Sequence, residues 1–180
     1  MNKRTMGIGA AVLMGICCCA AYAGEIIGNG DFKLLVNKKP KQAKFVTGEK
    51  TIKHWGIAGP FQVIIKKGEP NKVELKSGVI YSYLRRAWTE PASELNGEIT
   101  ASGSGKVKIV FSTTIKKSAK QPFAHSNKTV MGEFKLDKET KTFKFKNTLE
   151  AGQVGYVYIY AIGGPALISS VSAKTTPIKK

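Results

Sequence analysis

Tyrosine is the residue type whose spacing in this chain most suggests chemistry. Five of the six tyrosines fall in two short segments at alternate positions, Tyr81 and Tyr83, then Tyr156, Tyr158 and Tyr160. Alternate residues of a strand point to one face. Val157 and Ile159, between the last three, suit the opposite, core-facing side. A tyrosine ring is a flat apolar surface with a hydroxyl at its edge, which suits stacking on a sugar ring while hydrogen-bonding its hydroxyls. Arg85 continues the alternation of Tyr81 and Tyr83, and Arg86 and Trp88 follow on the adjoining loop. These residues form the candidate ligand-binding set. The competing reading is structural, because tyrosine is favoured on pleated surfaces whatever their function and could equally fill a core. Trp55 reads as a packing residue near the first strand.

Catalytic constellations are not legible. His54 and His125 are the only histidines, far apart and without metal-ligand spacing. Asp31, Asp137 and the glutamates form no recognisable pair. Glu90, Glu94 and Glu98 alone do not establish paired-carboxylate chemistry. No serine occupies a nucleophile elbow. The expectation is a protein that is not an enzyme, with no cofactor and no metal.

Residues 1–23 read as a cleavable export signal. Asn2, Lys3 and Arg4 make a polar, positive start, Met6 to Ala20 is uncharged and largely apolar, and Ala21-Tyr22-Ala23 supplies a small-x-small cleavage pattern. The apolar run is shorter than the roughly 20 residues that span a bilayer. A lipoprotein signal is the alternative, since Cys17, Cys18 and Cys19 lie in the run, but Ile16 rather than a small residue precedes Cys17. All three cysteines lie in this segment. The exported domain is therefore expected to lack disulfides and thiolate chemistry. The expected location is secreted, or periplasmic within a cell envelope, with no membrane span after cleavage.

Losing Lys3 and Arg4 leaves 27 of the 29 basic residues against 12 acidic ones, a charge of +15. Such an excess favours anionic partners: anionic glycans, envelope polymers or, less so without any recognisable motif, nucleic acid. Scattered lysines serve solubility as well. Lys106, Lys108, Lys135, Lys144 and Lys146 fall on the non-core side of their strands. They would form one basic sheet face if those strands are neighbours.

The elements that must carry these residues are strands. Phe61, Val63 and Ile65 alternate with polar residues, as do Val73 and Leu75, then Val107, Ile109 and Phe111, then Phe134 and Leu136, and Phe143 and Phe145. A period of two marks strands with one buried and one wet face. Turn signals separate them at 67–71, 77–78, 102–105, 137–140 and 163–165. Nine to ten short strands at this spacing predict an all-β sandwich or barrel. Loops are expected at Lys33 to Lys53 and Lys116 to Thr129, with one domain over 24–174 and a flexible tail over 175–180.

Four segments, in order, resemble jelly-roll carbohydrate-binding modules of the galactose-binding-like superfamily. Gly28-Asn29-Gly30-Asp31-Phe32 followed by Trp55 is similar to their opening strand, and Gly78 to Leu84 to a Gly-x-x-Tyr strand. Leu95 to Phe111 is similar to the next hairpin, and Tyr156 to Val171 to the closing pair. The resemblance implies a jelly-roll β-sandwich that binds a glycan without cutting it. It also implies a structural calcium ion, but Lys33 and Ser169-Ser170 stand where that family has carboxylates. Calcium takes six to eight oxygen ligands, several of them anionic, so the site is expected to be lost, with the Lys33 ammonium in the cation's place. A docking domain for an envelope protein is the alternative function, and lysine-driven polyanion binding a further one.

Overall fold

The computed structural model describes residues 25–36, 51–86, 89–115 and 124–179. The segment expected as an export signal, Trp88 and the side chain of His125 lie outside the described residues, as do 37–50 and 116–123 within the two expected loops.

Alternating apolar residues form strands throughout. A short ribbon pairs β1 (Leu35–Val36) with β2 (Thr51–Ile52). Ten further strands follow: β3 (Trp55–Ala58), β4 (Phe61–Ile64), β5 (Lys72–Leu75), β6 (Gly78–Tyr83), β7 (Ser93–Gly103), β8 (Lys106–Ile115), β9 (Ala124–Lys135), β10 (Lys141–Leu149), β11 (Val154–Ile162) and β12 (Ala166–Pro177). They build two five-stranded antiparallel sheets, β10-β7-β12-β5-β4 and β3-β6-β11-β8-β9. The protein is an all-β jelly-roll sandwich. The inner faces interdigitate through Val73, Leu75, Leu95, Ile99, Ile168 and Val171 from the first sheet and Ile80, Val107, Ile109, Phe111, Val157 and Ile159 from the second, all essentially inaccessible. Each such side chain stabilises the fold by about 1.5–3 kcal/mol through burial.

Connectivity departs from the expected hairpins. β7 and β8 are joined by the tight turn Ser104-Gly105, yet they lie in different sheets, and so do β11 and β12. Leu95 to Phe111 is therefore a corner at which the chain crosses the sandwich, and Tyr156 to Val171 is another. Glycine permits these close crossings. At Gly103 (φ 152°) a Cβ would lie 2.1 Å from the Pro165 carbonyl oxygen, and at Gly59 (φ 104°) it would lie 2.6 Å from that of Ser77.

Other local expectations also change. The segment expected as the Asn-Gly-Asp-Phe strand is a turn. The Asn29 side chain organises it, accepting from Leu34 N (2.8 Å) and donating to the carbonyls of Leu34 and Lys53 (2.9 Å each). Phe32 is fully buried beneath it, edge-on to Trp55 at 5.5 Å, and Trp55 Nε1 donates to the Asn29 carbonyl at 3.1 Å. Residues 124–129, expected in a loop, begin β9. The tail expected to be loose after Lys174 continues β12 to Pro177 because Thr175 pairs with Leu95 and is buried, and Ile178 N bonds the Ala92 carbonyl. Ile65, expected inside, lies past the end of β4 and is exposed.

Candidate functional site

β6 and β11 are neighbours near the middle of the second sheet. Their register sets Tyr83 opposite Tyr156, Tyr81 opposite Tyr158, and Val79 opposite Tyr160. Ile80, Ser82, Val157, Ile159 and Ala161 point into the sandwich and are buried. Strand alternation then sends all five tyrosines to the outer face, where each is half-buried. The expectation that Val157 and Ile159 face inward and the tyrosines share the other face holds.

The rings form one connected cluster. Tyr81 stacks on Tyr158 at 5.2 Å, Tyr158 on Tyr160 at 6.2 Å, and Tyr156 meets Tyr83 edge-on at 4.9 Å and Tyr81 edge-on at 6.0 Å. These separations lie in the range where aromatic pairs attract. Partial burial holds the Tyr83 and Tyr158 hydroxyls above the ordinary phenol pKa, with a smaller contribution from neighbouring tyrosines. Both are therefore neutral donors at physiological pH.

The surroundings differ on the two sides of the cluster. On the β3 side the opposing positions are Gly56 and Ala58, which raise no wall beside the rings. On the β8 side Tyr160 is opposite Lys108, Tyr158 opposite Val110 and Tyr156 opposite Ser112. Beyond them on β9 stand Glu133, Val130 and Lys128. Glu133 pairs with Lys106 at 3.0 Å, and that hydrogen bond holds its carboxyl below the usual carboxylate range.

The arginines separate. Arg85 is exposed at the end of β6, and its guanidinium lies against the backbone of Gly28. It stands near His54, whose pKa is lowered first by desolvation and then by the positive charges of Arg85 and Lys53. Arg86 does not join the tyrosine face. It is buried, donates to the carbonyls of Glu150 (3.0 Å), Gln153 and Pro91, and pairs with Glu90 at 3.3 Å. Its role is to tie the segment before β7 to the β10–β11 turn, so the expectation that it touches ligand is corrected. Nothing in the spacing around Arg86 announced the acceptors on Glu150 and Gln153, which lie far along the chain.

The five lysines expected on one basic face are also divided. Lys106, Lys108 and Lys135 belong to β8 and β9, whereas Lys144 and Lys146 belong to β10 in the other sheet. No single basic sheet face unites them.

The residues where the resemblance implies calcium do not fit the ion. Lys33 directs its ammonium to Asp31 at 2.8 Å, and the Ser169 hydroxyl donates to the Thr100 carbonyl at 3.2 Å. The Lys33 hydrogen bond holds the Asp31 carboxyl below its ordinary range. Among the described residues no group of three or more histidine, cysteine or acidic side chains could hold a metal.

No family model matches the chain, and no curated protein matches it in sequence. Among solved structures, the chain is similar to the enzymatically active domain of tailspike protein 4 of bacteriophage CBA120 (TM-score 0.52, 6% identity). That match covers 84% of this chain and 21% of the tailspike chain, so the protein spans about a fifth of its length. It is also similar to CBM29_1, a family 29 carbohydrate-binding module from Piromyces equi (TM-score 0.45, 10% identity, 73% of this chain and 87% of that one). A CBM29-2 mutant complexed with mannohexaose gives TM-score 0.45 at 10% identity, covering 85% of this chain and 90% of that one. At these identities the tailspike match is a likeness of fold, and the fold it shares is an all-β sandwich.

Proposed function

We propose that this is an exported, non-catalytic carbohydrate-binding domain, of the galactose-binding-like kind its sequence resembles, that takes glycans on the outer face of β6 and β11. One observation carries the reading: five half-exposed tyrosine rings from two adjacent strands form a continuous cluster. Sugar rings present an apolar face and a rim of hydroxyls, and a tyrosine cluster supplies the matching surface and donors. The open β3 side leaves room for a chain of sugars to extend. Lys108 and Lys128 on the other side favour glycans that carry negative charge. Export, to the outside or to a cell envelope, follows from residues 1–23 and is tested by sequencing the N-terminus of the mature protein.

The deciding experiment is a glycan array at low and high salt, with neutral and sulfated glycans and with Tyr158→Ala as control. Binding that survives salt and is lost in the variant supports stacking on the tyrosines. Binding that collapses with salt and ignores the variant supports a lysine-driven polyanion binder instead. An envelope protein recovered by pull-down with no glycan signal would replace both.

A further inference from the structure

Three backbone segments meet at the Tyr83 end of the tyrosine face. Arg85 N donates to the Ile26 carbonyl at 2.8 Å, Asn29 Nδ2 to the Lys53 carbonyl at 2.9 Å, and Ser82 Oγ to the His54 carbonyl at 3.1 Å. The turn around Asn29, the turn between β2 and β3 and the end of β6 are thereby tied together. The register that sets Trp55 opposite Ser82 brings His54 alongside Tyr83, on the side away from Tyr156. Arg85 follows Tyr83 by two residues, about 7 Å along the strand direction.

Charge at this corner is one-sided. Arg85 and Lys53 are exposed and have no ion-pair partner among the described residues. The carboxylates of the N-terminal segment are committed elsewhere: Asp31 faces Lys33 at 2.8 Å, and Glu25 accepts from the backbone N of Ile27 (3.3 Å) and of Ala173 (2.8 Å). Whereas Arg86 spends its donors on three carbonyls, the Arg85 side chain donates to nothing among the described residues. Its guanidinium is nevertheless held in place. It lies flat on Gly28, where a Cβ would fall 2.2 Å from Nη2, 2.5 Å from Cζ and 2.7 Å from Nε. A planar fork fixed in this way offers paired N–H donors to a carboxylate. His54 has φ 73°, a left-handed backbone that strains any residue but glycine. Strain of this kind gathers at binding sites, and here it sets an imidazole beside Tyr83 and Arg85.

We propose that Arg85, His54 and Lys53 form a subsite for the carboxylate of an acidic sugar, of the uronic acid class, whose ring stacks on Tyr83. The proposal rests on the tyrosine face being the glycan site and names the sugar at one end of it. The Arg85 fork takes the carboxylate, Lys53 adds charge, and His54 supplies a hydrogen-bonding partner on the side away from Tyr156.

Nuclear magnetic resonance titration of the protein with methyl β-D-glucuronide tests this, with methyl β-D-glucoside and acetate as comparators. The glucuronide is expected to bind about tenfold more tightly than either. Arg85→Gln should bring the ratio of glucuronide to glucoside affinity down to about one. Arg85→Lys, which keeps the charge without the fork, should retain only part of the preference. His54→Gly should lower the ratio while the melting temperature stays or rises, because glycine takes that φ without strain. The bound carboxylate should also raise the pKa of His54, which desolvation and then the charges of Arg85 and Lys53 hold low in the free protein. A glucuronide that binds no tighter than the glucoside or acetate, a ratio that ignores Arg85→Gln, or a His54 pKa that does not move would each overturn the proposal. A glucoside signal that depends on Tyr158, with a ratio near one, would sink this subsite and leave the tyrosine face intact. Failure of both sugars to shift the resonances of the tyrosine face would sink both.

Discussion

The ring of Tyr81 lies over the backbone of Gly56, so close that a Cβ there would fall 2.2 Å from the ring's Cζ. Glycine is needed at this position for space. Gly56→Ala must push Tyr81 out of its contacts with Tyr158 and Tyr156. Because β3 is an edge strand, the fold should persist while glycan affinity falls about tenfold, equivalent to roughly 1.4 kcal/mol. Isothermal titration and amide chemical shifts around Tyr81 check this, and an unchanged affinity would remove Tyr81 from the site.

Tyr158 is in contact with three other tyrosines. Tyr158→Ala should abolish measurable glycan binding. Tyr158→Phe keeps the ring and loses only the hydroxyl, so it should cost about 0.5–1.5 kcal/mol. If the two variants bind alike, hydrogen bonding rather than stacking dominates recognition.

Arg86 offers the contrasting case. Arg86→Met strips the carbonyls of Pro91, Glu150 and Gln153 of a buried donor and removes the Arg86–Glu90 ion pair. The expected loss is about 3 kcal/mol or more of stability, read as a lower urea midpoint. Glycan affinity of the folded variant should match wild type.

Alkaline pH should weaken the fold through the tyrosine face. Tyr83 and Tyr158 have raised pKa values in the native state, chiefly from desolvation, against an ordinary 10.0. The unfolded chain therefore releases these protons first as pH rises. The unfolded state then binds fewer protons than the native one, so stability falls with pH. Their contribution is complete below about pH 10 and is lost above it. Melting curves from pH 8 to 11 should show a shallower decline for a Tyr83→Phe, Tyr158→Phe double variant than for wild type.

Calcium should not stabilise the domain. Lys33 already neutralises Asp31, and Ser169 is committed to Thr100. Millimolar calcium should leave the melting temperature within about a degree, whereas a bound structural ion would raise it by several.

The sequence displayed what depends on near neighbours. Alternation in Val107-Ile109-Phe111 and Val157-Ile159 announced strands and their buried faces, and with them the shared side of the tyrosines. It did not display what depends on distant partners. Ser104-Gly105 has the chemistry of a hairpin turn, but pairing is decided across the sheet, and β7 finds β10 and β12 instead. Arg86 reads as one of two adjacent surface arginines until its acceptors on Glu150 and Gln153, 64 and 67 residues away, are known. The lysines of β8 and β10 share a pattern but not a sheet. Thr175 and Thr176 carried a usable hint, because threonine favours strands, and the basic character of the tail obscured it.

The mutual contacts of the tyrosine rings have an entropic consequence. Freezing a mobile side chain on binding opposes association by about 0.5–1.5 kcal/mol. Here the rings restrain one another before any ligand arrives. Docking should then resemble placing a sugar on a preformed surface rather than gathering loose rings around it, and variants of this face should differ more in dissociation rate than in association rate.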